Sequence, residues 1–243
     1  CLQHWWRLGY DPSDIGRDYG ISAHPIDVYA DAPALRVNAK DVRGDPDGPY
    51  LDLSGWFDYL ANKTPHALDI ANAWTVAAWF RPDDLAPSLL RPEQHLLAAA
   101  PQDGHANQWE ISFVTGMPGD PVQVLVYDAS GRVGKDYYYE DLLVEGVWTH
   151  LAVAWDGNEL RLWLNGVLQP ATSKRTDRQD VTMDGGSLVR TYIGRNPGGG
   201  HFKGGLHSLA IWKRPLDSGE VAEISNAGTR EFDLRRGDQT PCQ

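Results

Sequence analysis

The sequence predicts an all-β protein built as a two-sheet antiparallel sandwich of the jelly-roll kind. Three observations carry that expectation. Short runs of alternating apolar and polar residues recur along the chain, clusters of Gly, Pro, Asn and Asp separate them, and a helical pattern is confined to one segment near the C-terminus. Short strands with regular turn punctuation belong to sandwiches and jelly rolls, whereas a βαβ protein needs a helix between successive strands.

Taken in order, strands are expected at Leu2–Leu8 and Tyr50–Leu53, on either side of an Asp-, Pro- and Gly-rich stretch from Asp11 to Gly55 that reads as rim loops. Further strands are expected at Trp74–Phe80, Trp109–Val114 and Val122–Tyr127. The strongest local signal is WTHLAVAWDGNELRLWLNGVL, Trp148–Leu168, where Asp156-Gly157 and Asn165-Gly166 suit primed hairpin turns because Gly and Asn tolerate positive φ. Leu151, Val153 and Trp155 then share one face of a strand, Leu160, Leu162 and Leu164 one face of the next, and Ala152 and Ala154 point the other way. Thr191–Ile193 and Leu206–Trp212 complete the strand set. At Asp217–Gly228 a helix is expected, with Asp217 and Glu220 at capping-box spacing, Val221 and Ile224 on one apolar edge and Gly228 at the C-terminal cap.

The chain of 243 residues reads as one domain over 1–243, with no linker and no repeat of solenoid or propeller length. Its Lys+Arg total of 22 against Asp+Glu of 33 leaves a formal charge of −11, a field that repels phosphate backbones and anionic lipid surfaces. Nucleic-acid and membrane-surface roles are therefore not expected. No apolar run approaches the roughly 18 residues that a membrane-spanning helix needs. Lys174, Arg175 and Arg178 are interleaved with Asp177 and Asp180, the pattern of a solvated loop. The two cysteines, Cys1 and Cys242, would close almost the whole chain if bridged, which points to an oxidising compartment. The N-terminal Cys fits a processed export signal, a lipidated Cys or loss of an initiator Met. The expected location is extracellular or surface-exposed (secreted, lipid-anchored or virion-associated), with a cytoplasmic one left open.

Three blocks resemble the laminin G-like and pentraxin-like branch of the concanavalin A-like lectin/glucanase jelly rolls. WTVAAWFRP (Trp74–Pro82) looks like that branch's early core strand and WTHLAVAWDGNELRLWLNG (Trp148–Gly166) like its central hairpin. YIGRNPGGGHFKGGLHSLAIWKRPLDSGEV (Tyr192–Val221) resembles its closing strands and short helix. The resemblance spans about Tyr50 to Gly228. It implies a family-like core at about 50–228, with the terminal segments packed on it. It also implies that Ala77 and Ala152, at the positions of the pentraxins' paired half-cystines, face each other on adjacent strands.

Glycosidases of this superfamily carry carboxylates spaced E-x-D-x-x-E on one strand, so that alternate residues project into the cleft as nucleophile and acid. The sequence lacks that motif, and Glu140, Asp141 and Glu145 have the wrong spacing, so no catalytic residues are assigned. The resemblance also raises calcium at a loop rim. Gly194-Arg195-Asn196-Pro197 lacks the acidic ligands it would call for, His207 stands where related domains commonly have Asp, and Asp45-Pro46-Asp47-Gly48 reads as a turn with calcium as the alternative. No cofactor is otherwise expected. His150, His201 and His207 fall in or beside strands and read as structural. Gly198-Gly199-Gly200 lacks the Lys and helix of a phosphate loop.

An aromatic excess remains, with ten Trp and ten Tyr. Trp79, Trp155, Trp163 and Trp212 fall in strands and are expected to pack in the core or on sheet faces. Trp56-Phe57-Asp58-Tyr59 and Tyr137-Tyr138-Tyr139 are the site candidates, because consecutive aromatics cannot all turn inward. The expected ligand surface combines Trp56, Tyr59, Asn107, Asp136, Tyr137 and Tyr139. The function this supports is a non-catalytic, lectin-like binding or adhesion module recognising a glycan or protein partner on a cell or virion surface. The alternative is an assembly subunit of an appendage, shell or fibre, in which the aromatics make homotypic contacts in an oligomer.

Overall fold

The computed structural model describes residues 2–6, 8, 27–29, 34–36, 50–56, 58–62, 73–85, 93–101, 108–115, 117, 119, 121–183 and 188–227. Cys1, Cys242, Asn107, Gly228 and residues 45–48 lie outside them. The strands are β1 (Leu2–Trp6), β2 (Asp27–Tyr29), β3 (Ala34–Arg36), β4 (Tyr50–Ser54), β5 (Tyr59–Ala61), β6 (Trp74–Pro82), β7 (Gln94–Pro101) and β8 (Trp109–Phe113). They continue as β9 (Val122–Tyr127), β10 (Val133–Tyr139), β11 (Thr149–Trp155), β12 (Leu160–Leu164), β13 (Val167–Gln169), β14 (Ser173–Asp177), β15 (Val189–Ile193) and β16 (Lys203–Trp212). One helix, α1 (Ser218–Ala227), follows.

Two antiparallel sheets form a sandwich. The first runs β13-β12-β11-β6-β16-β4-β3, with β1 also on β16; the second runs β14-β10-β9-β8-β7-β15-β5-β2. The alternation in the central meander does what period 2 requires: Leu151, Val153, Trp155, Leu160, Leu162 and Leu164 enter the main core, where inward residues of both sheets meet. Its turns carry the left-handed residues the sequence called for, with φ of 96° at Gly157, 49° at Asn165 and 79° at Gly166.

A second apolar cluster lies on the outer face of the first sheet. There Ala152 is the register partner of Ala77, which in turn pairs with Ala210. This row of small side chains leaves room for Trp163, Trp212, Leu216 and Val221, so α1 docks close to the sheet. The helix starts on the expected capping box: Glu220 N–H donates to Asp217 Oδ1 (2.9 Å) and Asp217 N–H to Glu220 Oε2 (2.9 Å). Ser218 Oγ accepts from Trp163 Nε1 at 3.1 Å, tying the first turn to β12.

Two expectations are corrected. The Lys174–Arg178 region is an edge strand, not a solvated loop, and its charges are paired across the sheet. Asp177 Oδ1 receives Lys135 Nζ (2.6 Å) and the Tyr137 hydroxyl (2.7 Å), while Arg178 reaches Asp128 at 2.7 Å. Charged side chains along such an edge also discourage pairing with another chain. The Tyr run is no exposed surface either. Tyr137 and Tyr139 are 2% and 1% exposed and belong to the main core; Tyr138 alternates to the outer face, as geometry demands, but is only 4% exposed because Gln123 and Arg175 cover it.

His150, on β11, is buried against Trp79, with ring centroids 5.1 Å apart. Its Nδ1 has no hydrogen-bond partner among the described residues, and the ring packs against the indole. Burial pushes its pKa down to about 3, which keeps the ring neutral.

Candidate functional site on the outer face of the second sheet

Strand register separates the two faces of the second sheet. The row Tyr137–Val124–Ile111–Leu97–Ile193–Leu60 points into the core. The next row, Asp136–Leu125–Glu110–Ala98–Tyr192–Ala61, therefore points away from it, as does Tyr138–Gln123–Ser112–His95. Polar and aromatic residues dominate these outward rows, in contrast with the alanines and tryptophans beneath α1.

At the centre stands Glu110, 4% exposed. Its Oε1 accepts from the Tyr127 hydroxyl (2.7 Å) and its Oε2 from Asn196 Nδ2 (3.0 Å). The same Oε2 lies 3.1 Å from His95 Nδ1, and His95 Nε2 lies 3.4 Å from Glu93 Oε2. Burial, then the Glu110 charge, hold the Tyr127 hydroxyl well above its ordinary range. Hydrogen bonding to His95 holds Glu93 low. Further along, Gln123 Nε2 donates to Asp136 Oδ1 (2.8 Å) and to the Tyr138 hydroxyl (2.7 Å), and the Arg175 guanidinium stacks 4.3 Å above Tyr138.

A loop after β15, residues 194–202, ties this cluster to an aromatic platform. Gly194 N–H donates to Leu96 O and Phe202 N–H to Gly194 O, both at 2.8 Å, while His95 N–H donates to Gly200 O at 2.7 Å. Gly200 has φ of 66°, and a Cβ there would run into His95 Cδ2, so only glycine lets the loop close over the imidazole. Arg195 donates to the Asn196 and Pro197 carbonyls, which fixes its guanidinium 4.6 Å above the Tyr59 ring. Tyr192 and His201 each lie 6.3 Å from Tyr59 by ring centroid.

Of the residues expected from sequence, Tyr59 is in this platform. Trp56, 56% exposed, is presented by the turn leading into β5, where Ser54 N–H donates to Asp58 Oδ2 (2.8 Å) and Trp56 N–H to Ser54 Oγ (3.3 Å). Asp136 is on the same face but on β10, five strand spacings or about 24 Å from β5. A single small sugar cannot touch both. Tyr137 and Tyr139 face the opposite way, into the core. His95, Glu110, Tyr127, Tyr192, Arg195 and Asn196 were not singled out as a site by sequence. Glu110, Tyr127 and Tyr192 carry only the alternation of polar and apolar residues on β8, β9 and β15, which every half-exposed strand shares, and His95, Arg195 and Asn196 lie outside any alternating run.

The arrangement differs from the paired carboxylates of a glycosidase strand. A glycosidase pair on one strand needs a second carboxylate on the same face, and after Glu110 that position on β8 is Ser112. Glu93 and Glu110 do approach one another, but the His95 imidazole fills the space between them where a reacting water or sugar carbon would sit. Among the described residues no group of three or more His, Cys, Asp or Glu is arranged to hold a metal ion, and no helix is long and apolar enough to cross a membrane.

Comparison with known proteins agrees with the architecture. A stretch of human Pentraxin-4 is 37% identical over 90 residues, 35% of this chain and 19% of that protein. Domain 4 of AbnA, an extracellular arabinanase from Geobacillus stearothermophilus solved with arabinotriose, superposes with a TM-score of 0.65 at 18% identity over 92% of this chain and 98% of that one. The ligand-binding domain of botulinum neurotoxin serotype D, solved with N-acetylneuraminic acid, gives a TM-score of 0.59 at 14% identity over 92% of this chain and 50% of that one. At these identities the structural likeness establishes the fold. The laminin G-like family model described as the concanavalin A-like lectin/glucanases superfamily matches residues 54–222, and the chain belongs to that family.

Proposed function

We propose that this is a non-catalytic, lectin-like module of an exported or surface-exposed protein, and that a glycan lies across the outer face of its second sheet. The observation that carries this reading is the joining, by the one loop 194–202, of an aromatic platform to a hydrogen-bonded carboxylate–histidine cluster. Ring faces such as Tyr59 and Tyr192 suit the C–H face of a sugar, and directed polar groups beside them orient hydroxyls. The arabinotriose and N-acetylneuraminic acid bound by structural neighbours support a ligand of that class. The assembly reading draws no support from Tyr137–Tyr139, because those rings are buried within the chain.

A glycan array followed by isothermal titration, with arabinotriose and N-acetylneuraminic acid among the probes, tests the reading. Trp56→Ala and Tyr59→Ala are each expected to weaken binding by tenfold or more, the equivalent of about 1.4 kcal/mol. A glycan that binds both variants as tightly as the native chain would remove this end of the face from the site.

A further inference from the structure

A proton on His95 decides the charge balance of the cluster just described. The imidazole is 5% exposed and stands between two carboxylates, Glu93 just ahead of β7 and Glu110 on β8. Tyr127 on β9 reaches the same Glu110, Asp136 on β10 lies in the adjoining row, and the loop brings Arg195 and His201. His95 Nδ1 lies within ion-pair distance of Glu110 Oε2. When His95 is cationic, it is a counter-ion to both carboxylates. When it is neutral, Glu110 stays deeply buried beside Glu93 without that counter-ion.

Loop 194–202 is fastened at this same point. Gly200 O accepts the His95 N–H, Asn196 donates to Glu110, and the ends of the loop close through Gly194 and Phe202. The loop in turn holds Arg195 over Tyr59 and His201 beside it. We propose that protonation of His95 fastens this loop and with it the aromatic platform, so that the module grips its ligand at mildly acidic pH and loosens as the pH rises. Burial pulls the His95 pKa down, but the hydrogen bonds and charges of Glu110 and Glu93 outweigh it, and the net direction is upward. A raised histidine pKa contributes stability that is complete below the ordinary value near 6.5 and is lost as pH climbs through the raised one.

The ligand half of this inference rests on the glycan-binding reading; the loop half does not, and the experiment separates them. Amide hydrogen exchange of Gly194 and Phe202, corrected for intrinsic rate, is followed from pH 5 to 9 beside the NMR titration of His95. Protection is expected to fall tenfold or more as His95 loses its proton. The fall should be absent in His95→Gln and retained in His201→Gln. Glu93→Gln, at a half-exposed position that tolerates change, should move the midpoint to lower pH. Protection that ignores the His95 titration, or a midpoint unmoved by Glu93→Gln, would overturn the switch. Arabinotriose binding across the same range is expected to follow the protection curve. A switching loop in a protein that binds no glycan at any pH would support the device while removing the proposed ligand.

Discussion

Phe202→Ala is expected to lower stability by about 3–5 kcal/mol, the range for truncating a fully buried aromatic ring. Phe202 is 0% exposed and packs against Phe80 and Phe113 at centroid distances of 6.3 and 5.7 Å, while Phe80 and Phe113 stack at 5.2 Å. The three rings come from β6, β8 and the entry to β16, so the cavity would open between the two sheets. The same residue ends loop 194–202 and bonds Gly194 through its N–H. Binding should therefore suffer along with the urea midpoint. Phe202→Leu, which refills most of the volume, should recover more than half of the loss. A shift below 1 kcal/mol in Phe202→Ala would mean that the loop end is not seated in the core.

Gly200→Ala is the second large effect. The left-handed backbone at φ 66° costs an alanine about 1–2 kcal/mol, and the collision of its Cβ with His95 adds overpacking strain of about 1–3 kcal/mol. His95 has little freedom to yield, since Glu93 and Glu110 hold both ring nitrogens. Gly198→Ala is the control, because that residue lacks a positive φ and its added Cβ meets Asn196 Oδ1 at an ordinary 3.4 Å. Urea titration should show Gly200→Ala destabilised by at least 2 kcal/mol and Gly198→Ala nearly unchanged. Equal effects from the two would refute the close seating of the loop over the imidazole.

These two residues also show where sequence reading succeeds and fails. β6, β11, β12, β15 and β16 were legible because alternating large apolar residues and Asp-Gly or Asn-Gly turns are local signals. The small facing pair Ala77 and Ala152 was legible through family resemblance. β7 was not, since HLLAAA has neither alternation nor β-branched residues, and its strand character comes from pairing with β8 and β15 on either side. β14 was hidden for the opposite reason: an edge strand with no buried face carries no apolar pattern. The site was largely illegible because its members are brought together by register. His95 meets Glu110 across one strand pair, and Asn196 arrives from 86 residues away. The Gly198–Gly200 run could be read only as a missing phosphate loop, because its steric reason lies beneath it in His95. Tyr137–Tyr139 misled because an aromatic triplet says nothing about which member turns inward.

The outer face of the second sheet is the proposed ligand surface. An amide chemical-shift map, recorded while the tightest glycan from an array is added, tests it most directly. Changes are expected to centre on Tyr59, Glu110, Tyr192 and Arg195–His201, with little at α1. Changes confined to α1 and the exposed Val167 and Leu168 of β13, on the other sheet, would contradict it.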